Sequence, residues 1–91
     1  MDFCIQDNEI YYINENGEKA AEVTFPSIDA DTVEINHTFV SPSLRGTGMA
    51  EKLMQTAAEE ISRQGKRVVL TCSYAINWFE HHEEFQDIIR K

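Results

Sequence analysis

The sequence predicts an α+β fold: a mixed, mostly antiparallel sheet with one parallel β-α-β crossover, a long central helix and one or two short C-terminal helices. Two observations lead to this prediction. Short segments of alternating polarity fill the first 40 residues, whereas a helical apolar repeat covers 49–64 and is followed directly by an aliphatic strand at 66–72. Because a strand-helix-strand crossover is almost always right-handed, the helix is expected to lie across one face of the sheet.

The first half of the chain is expected to form antiparallel strands joined by tight turns. Asn16-Gly17 is a hairpin signal, because both residues tolerate the positive φ that a tight turn requires. The strands of this meander are expected at 3–6, 9–13 and 19–25.

A fourth strand, at 32–40, carries two ionisable side chains whose placement matters for function. Regular alternation puts His37 on the apolar face beside Ile35 and Phe39, and Glu34 on the opposite face. His37 can then be either a satisfied core histidine or a general base that removes a proton from an acceptor. Glu34 is a reserve base, which can join His37 only if a bulge resets the alternation.

The end of the chain, 74–89, is expected to close the core with one or two short helices. The run at 81–84, His-His-Glu-Glu, does not fit a zinc-protease helix, because Gln86 occupies the position of the second histidine, and no metal is expected. The aromatic residues of this region are interpreted as core rather than as stacking platforms for a ligand. They are Trp78, Phe79 and Phe85.

The length of the chain restricts its class. Its 91 residues suit one domain, 1–91, and its two cysteines, Cys4 and Cys72, are expected to be free thiols. The longest aliphatic run, 68–70, is far shorter than the roughly 20 apolar residues of a membrane-spanning helix. The N-terminal residues lack the pattern of a signal peptide, so a cytoplasmic location is expected.

Charge is distributed unevenly along the chain. Residues 1–40 contain nine acidic side chains and one basic, whereas 45–67 contain five basic and three acidic. The formal net charge of −8 opposes general binding to nucleic acid or to anionic membranes, so neither is an expected partner. An anionic ligand would fit the basic window, although a solvated mixed-charge helix accounts for the same charges.

The segment 45–50, Arg-Gly-Thr-Gly-Met-Ala, stands where a strand ends and the helix begins. The first N–H groups of a helix have no internal acceptor and carry the positive end of its dipole, so they can bind an anion directly. Gly46 and Gly48 have no Cβ to hinder a phosphate, and Arg45 adds a positive charge. The pattern indicates a phosphate site, but glycines that only shape the helix entry would produce it too.

The segment 45–50 resembles the acetyl-CoA pyrophosphate loop of the GNAT acetyltransferase superfamily, which reads Arg or Gln, two residues, Gly, one residue, then Gly or Ala. The likeness covers most of the chain and is closest to the short, single-domain N-acetyltransferase-like branch. One departure is Glu83, which stands where that branch has proline and bears on the start of the last helix. The other residues that carry the likeness are His37-Thr38, the strand and turn at 39–44, Cys72-Ser73-Tyr74, Trp78 and 84–87.

The resemblance implies that acetyl-CoA or coenzyme A is bound as a co-substrate at a splayed gap between the strands ending at Val40 and Cys72. The pantetheine arm would insert into this gap, where exposed backbone groups can pair with its amides. The implied cofactor-binding residues are Phe39, Val40, Arg45, Gly46, Thr47, Gly48, Met49, Ala50, Ser73 and Tyr74.

Cys72 would lie close to the thioester of a bound acetyl-CoA, and two roles are open for it. It is either a small lining residue, as free cysteines usually are, or a nucleophile that takes the acyl group. Cys72, His37 and Glu34 are therefore the candidate catalytic residues.

The expected function is acetyl transfer from acetyl-CoA to an amine. The acidic first half favours a cationic acceptor, such as a polyamine or a lysine side chain. The alternative is a non-catalytic CoA or acyl-CoA binding module or interaction protein, since a fold does not fix a function.

Overall fold

The computed structural model describes residues 3–90 and has the element order that the sequence predicts. Its elements are the strands β1 (Cys4–Gln6), β2 (Glu9–Ile13), β3 (Lys19–Thr24), β4 (Thr32–Ile35), β5 (His37–Val40) and β6 (Arg67–Leu70), the helices α1 (Met49–Arg63) and α2 (Ser73–Glu80), and two 3-10 helices at Pro42–Leu44 and Glu83–Ile88.

The strands form two sheets, one of four strands and one of two. Strands β1, β2, β3 and β5 form an antiparallel sheet in that order, while β4 pairs with β6 in parallel. Helix α1 connects this parallel pair, so the predicted α+β fold with one β-α-β crossover is confirmed. Within the described residues β5 pairs with β3 alone, and a gap therefore opens on its other side, toward the end of β6.

The prediction of one continuous strand over 32–40 is wrong. The strand breaks at Asn36, whose side-chain oxygen accepts a hydrogen bond from the Thr24 hydroxyl at 2.7 Å. The extra residue resets the alternation, so Ile35 remains in the core whereas His37 is exposed on the side of the sheet that carries Glu34. His37 is therefore not a core histidine, and Phe39, which is 38% exposed, is not on an apolar buried face either.

The turns also differ in detail from the prediction. In the loop between β2 and β3 only Gly17 has a positive φ, of 79°, and Asn16 does not. The loop spans the five residues between Ile13 and Lys19, and the Asn14 side chain accepts the N–H groups of Asn16 and Glu18 at 3.0 Å each. A longer loop held by this side chain needs one left-handed residue rather than two.

One hydrophobic core joins α1, the sheet and the C-terminal helices. Val23 at the centre of the sheet is fully buried, and Trp78, Phe79 and Phe85 lie in the same cluster, so their interpretation as core residues is confirmed. The helix contributes one apolar stripe to it. The residues of that stripe are Met49, Leu53, Met54, Ala57, Ala58 and Ile61.

The face of the four-stranded sheet that points away from α1, here called the distal face, is more polar. Tyr11, Glu22 and Phe39 lie opposite one another across β2, β3 and β5, and each is half-buried or exposed. The next row includes Thr24 and His37.

The C-terminal segment covers the outer edge of β6. Ile89 forms a parallel bridge with Val68, and the Arg90 N–H donates to the Val68 carbonyl at 2.9 Å. Between residues 3 and 90 no helix combines the length and the apolar character that crossing a membrane requires.

Candidate functional site

A cavity of about 270 Å³ lies where β5 ends and α1 begins. The structure thus brings together most of the implied cofactor-binding residues, from β5, the loop and the start of α2. Phe39, Thr47 and Ser73 do not line this cavity. Leu44 and Glu51 do line it, although the sequence did not predict them as site residues. The full lining is Val40, Leu44, Arg45, Gly46, Gly48, Met49, Ala50, Glu51 and Tyr74.

Two glycines shape the loop before α1. Gly46 and Gly48 have φ angles of 81° and 84°, in the left-handed region that favours glycine. Gly48 is the N-cap residue, and no side chain from the described range 3–90 caps the helix start. The first N–H groups of α1 therefore lack a side-chain acceptor and face a cavity, which is the arrangement an anion needs.

Arg45 ties this loop to the preceding strand. Its Nε donates a hydrogen bond to the Val40 carbonyl at 3.3 Å, while the residue stays exposed. Because one guanidinium nitrogen holds the backbone, the others remain able to pair with a phosphate beside the helix start.

The gap beside β5 is closed at one end by the junction of β6 and α2. The N–H groups of Thr71 and Cys72 both donate to the Ile35 carbonyl at 3.2 Å, and the chain then turns away from β5. The strand expected at 66–72 ends at Leu70, and Cys72 becomes the N-cap residue of α2 rather than a strand residue. Its Sγ lies 3.6 Å from the Thr38 Oγ1, across the gap.

The Cys72 thiol is held in surroundings that favour its ionised form. Burial raises its pKa, but hydrogen bonds from the Ala75 and Tyr74 backbone and from Thr38 outweigh this effect, so the pKa of Cys72 is lowered overall. Both Cys72 and the exposed Cys4 are free thiols, as expected.

Tyr74 supplies a hydroxyl group to the cavity wall. Burial, followed by the charge of Glu51, raises the pKa of its phenol. The phenol therefore keeps its proton at neutral pH and can donate a hydrogen bond to a ligand.

The two other candidate catalytic residues lie on the opposite side of the sheet from α1. Glu34 accepts a hydrogen bond from the Thr71 hydroxyl at 2.6 Å, and Thr71 directly precedes Cys72. His37 is exposed in the strand that carries Thr38, the hydrogen-bond partner of Cys72. Both bases thus flank the Cys72 region, but the Cys72 thiol bonds to Thr38 rather than to either of them.

His81 and His82 follow α2, and their side chains bond to carbonyl groups of that helix. His81 Nδ1 lies 2.9 Å from the Asn77 carbonyl, and His82 Nδ1 lies 2.6 Å from the Trp78 carbonyl. No group of three possible metal-ligating side chains occurs in the part of the chain that the structure describes.

A wider cavity, of about 750 Å³, lies at the opposite ends of β4 and β6. Its two arginines are engaged within the chain, since Arg67 donates to the Asp87 carbonyl at 3.2 Å and Arg90 contacts Asp29 at 3.1 Å. None of the implied cofactor-binding residues lines it.

Residues 10–88 match the family model of GCN5-related N-acetyltransferases. The chain belongs to this family. Because the match includes β5, the loop, α1 and the α2 junction, all residues that line the cavity lie within the matched segment. No curated protein sequence matches the chain.

Solved structures of other proteins have the same fold as this GNAT chain. It is similar to a GCN5-like protein from Staphylococcus aureus, provisionally assigned as an N-acetyltransferase, with 28% identity, a TM-score of 0.77 and coverage of 98% of this chain and 87% of that one. It is also similar in fold to the ribosomal-protein-S18-alanine N-acetyltransferase from Escherichia coli, with 19% identity and a TM-score of 0.63. That likeness covers 80% of the GNAT chain and 49% of the Escherichia coli enzyme, so the chain spans about half the length of the larger relative.

At the rim of the site of this GNAT chain, Glu51, Trp78 and His82 contact one another. The sequence did not predict this group. The Trp78 indole Nε1 donates to the Glu51 carboxylate at 2.6 Å, and His82 Nε2 contacts the other carboxylate oxygen at 3.1 Å. The rings of Trp78 and His82 stack with centroids 3.6 Å apart, although His82 lies beyond the end of α2. Their contact with Glu51 joins residues far apart in the sequence, and no local pattern reveals it.

Proposed function

We propose that this chain transfers the acetyl group of acetyl-CoA to a primary amine on a cationic acceptor. The observation that carries the proposal is the cavity in which the uncapped start of α1, the end of β5 and Tyr74 meet. Cys72 does not line this cavity, but it directly precedes α2, the helix that contributes Tyr74, and its Sγ contacts Thr38 on β5. Membership of the GCN5-related N-acetyltransferase family supports acetyl transfer in general.

The loop and helix start are assigned to the CoA diphosphate. The N–H groups of Gly46 and of 48–50 donate to the phosphate oxygens, and the exposed guanidinium of Arg45 pairs with their charge. Thr47 shapes this loop, because its own N–H donates to the Leu44 carbonyl at 3.2 Å. The pantetheine arm follows the gap, with Phe39 and Val40 on one side and Ser73 and Tyr74 on the other.

Cys72 is assigned as the nucleophile. Its thiolate attacks the thioester carbonyl, the carbon–sulfur bond to CoA breaks, and the CoA thiolate leaves and takes a proton from solvent. The neutral amine then attacks the acyl-cysteine, the amine proton passes to a base, and the Cys72 thiolate is released with the amide product. The lowered pKa of Cys72 supports this assignment, because the thiolate is the reactive form.

Glu34 and His37 are the candidate bases for the amine proton. Both lie on the side of the sheet away from α1, so an acceptor that approaches from the distal face meets them before it reaches Cys72. A positioned general base contributes roughly 10²- to 10⁴-fold to the rate, so Glu34→Gln and His37→Gln should separate the two. The variant that loses the larger factor identifies the base.

Charge on the distal face favours a cationic acceptor. Glu9 is paired with Lys19 at 2.6 Å, but Glu22 adds a carboxylate to the distal face, and Glu34 adds another on β4, outside that sheet. An ammonium group is attracted to such a surface. A panel of spermidine, a lysine-containing peptide and an uncharged amine tests this choice, and equal rates with all three would contradict it.

The decisive experiment offers acetyl-CoA to the wild-type chain, to Cys72→Ala and to the matched control Cys4→Ala. Intact mass and free CoA are recorded with and without amines. We expect an acetyl adduct in wild type and Cys4→Ala that is absent in Cys72→Ala. Amine-dependent CoA release that survives in Cys72→Ala would indicate direct transfer, with Cys72 as a lining residue. Thermal protection by acetyl-CoA without CoA release in any variant would overturn the enzyme proposal in favour of a binding module.

A further inference from the structure

Glu51 lies at an unfavourable place for a CoA site. It is the third residue of α1, and it lines the cavity into which the free N–H groups of the helix point. A glutamate at this position commonly folds back onto the backbone N–H of the N-cap residue, and its charge satisfies the positive helix end. Either effect would compete with a bound phosphate.

In this structure both carboxylate oxygens of Glu51 are drawn to the C-terminal end of α2 instead. Trp78 Nε1 donates to Oε2 at 2.6 Å, and His82 Nε2 lies 3.1 Å from Oε1. In the part of the chain that the structure describes, no side chain, Glu51 included, caps the start of α1. The Glu51 carboxylate is half-exposed, and among residues 3–90 its hydrogen-bond partners are these two side chains.

The hydrogen bonds of His82 define its protonation state. Its Nδ1 faces the Trp78 carbonyl at 2.6 Å, and its Nε2 faces the Glu51 carboxylate. Both partners are acceptors only, so both ring nitrogens must donate, which only the imidazolium can do. The ring stacks on the Trp78 indole, with centroids 3.6 Å apart and planes at 12°, an arrangement that also suits a cation.

Charged neighbours on two elements support this state. Glu51 faces His82 from α1, and Glu84 faces it from the 3-10 helix, while Tyr74 adjoins Glu51 from α2. The Trp78 carbonyl, followed by Glu51 and Glu84, raises the pKa of His82 against the opposing effect of desolvation.

We propose that Trp78 and the imidazolium of His82 are positioning residues, which hold the Glu51 carboxylate away from the start of α1 and so keep its N–H groups free for the diphosphate of CoA. The proposal rests on the proposed CoA site. When His82 loses one proton, the remaining proton stays on Nδ1, because the contact with the Trp78 carbonyl is the shorter of its two, at 2.6 Å against 3.1 Å. The Glu51 carboxylate then keeps only its bond from Trp78 and can compete for the helix start. Affinity for a diphosphate should therefore fall as the pH rises through the His82 pKa.

The test uses two fragments of CoA as titrants in calorimetry. Dephospho-CoA keeps the diphosphate but lacks the 3′-phosphate, whose own ionisation near neutral pH would confuse the profile. Pantetheine lacks the diphosphate altogether. Both are titrated from about pH 5.5 to about pH 8.5, a range that brackets the ordinary histidine pKa, into wild type, His82→Gln, Glu51→Gln and the matched control His81→Gln. An NMR titration of the His82 ring supplies its pKa independently of binding.

We expect wild-type affinity for dephospho-CoA to fall about three- to tenfold across this range, the scale of a charge at a helix end. Its midpoint should coincide with the pKa read by NMR. His82→Gln should bind weakly at every pH, Glu51→Gln tightly at every pH, and His81→Gln like wild type. Affinity for pantetheine should be equal in all four proteins, which also shows that the variants are folded.

The outcomes separate this inference from the proposed function. Failure of wild type to bind either titrant would overturn the CoA site and the inference with it. Binding with the same pH profile in wild type and Glu51→Gln would overturn the inference alone. If His82→Gln does not fold, the near-isosteric Glu51→Gln still tests the inference, because its affinity for dephospho-CoA must no longer depend on pH.

Discussion

Cys72 combines a nucleophilic atom with four groups that stabilise its anion. Two of them are backbone N–H groups at the start of α2, and the other two are the hydroxyl and the backbone N–H of Thr38 on the other side of the gap. The arrangement depends on the chain leaving the sheet after Leu70, so that Cys72 caps a helix rather than continuing a strand. The reactivity of this thiol is therefore a property of the β6–α2 junction.

The alkylation rate of Cys72 should follow its lowered pKa. In a Cys4→Ala background, its reaction with iodoacetamide is expected to reach half-maximal rate at a lower pH than that of an ordinary thiol. Thr38→Val removes one stabilising hydroxyl and should move this midpoint upward, whereas the control Thr56→Val, whose hydroxyl bonds to the Lys52 carbonyl, should leave it in place. Mass spectrometry of the labelled peptide gives the rates, and identical midpoints in all three proteins would contradict the role of Thr38.

The raised pKa of His82 makes a contribution to stability that depends on pH. A raised pKa means that the folded chain holds the proton more tightly than the unfolded chain. The contribution is complete below the ordinary pKa of about 6.5 and is lost as the pH rises through the folded-state value. The free energy of unfolding, measured with urea, should thus differ between wild type and His82→Gln more at acidic than at alkaline pH. A difference that grows with pH would contradict the imidazolium assignment.

At the scale of elements, the break at Asn36 organises the site. It allows β4 to pair with β6 and β5 to pair with β3, so that β5 has one free edge beside the gap. Periodicity alone predicted a continuous strand, because the bulge is stabilised by Thr24 on a neighbouring strand and leaves no local pattern. The strand and helix types were predictable from spacing, and the turn into α1 from its glycines. The faces of His37 and Phe39 were not, since they follow from this non-local bond.

The loop before α1 should tolerate no side chain at its N-cap. Gly48→Ala places a Cβ at a φ of 84°, which should destabilise the fold by about 1–2 kcal/mol, as left-handed conformations do for residues other than glycine. The loop should also relax and bind acetyl-CoA more weakly. Gly17→Ala is the matched control, because Gly17 has a similar φ of 79° but lies in the loop between β2 and β3, outside the cavity lining.

The two glycine variants are compared by urea unfolding and by calorimetry with acetyl-CoA. Both should lose a similar free energy of unfolding, but only Gly48→Ala should lose affinity. Equal affinity in the two variants would show that the conformation of Gly48 does not matter for binding.

At the scale of the whole molecule, the site and the core depend on the same helix. Helix α1 presents its first turn to the cavity and buries Leu53, Met54 and Ala58 completely, one to two turns further on. A core of this kind, shared by both ends of the chain, predicts a single cooperative unfolding transition.

Leu53→Ala tests this dependence. It should lower the free energy of unfolding by about 2–5 kcal/mol, since Leu53 is fully buried and a cavity would remain. Lys52→Ala, at the exposed neighbouring position, should change it by less than about 0.5 kcal/mol. Urea unfolding followed by circular dichroism and by the fluorescence of Trp78 should give coincident transitions, and two separate transitions would contradict a single domain over 1–91.

The short C-terminal bridge has a consequence for solubility. The outer edge of β6 would otherwise present unpaired N–H and C=O groups next to the aliphatic side chains of Val68 and Val69, which is the kind of strand edge that recruits another chain. By bonding the Val68 carbonyl, the Ile89 and Arg90 backbone shields this part of the edge. Ile89 and Arg90 therefore protect this part of β6 from edge-to-edge aggregation.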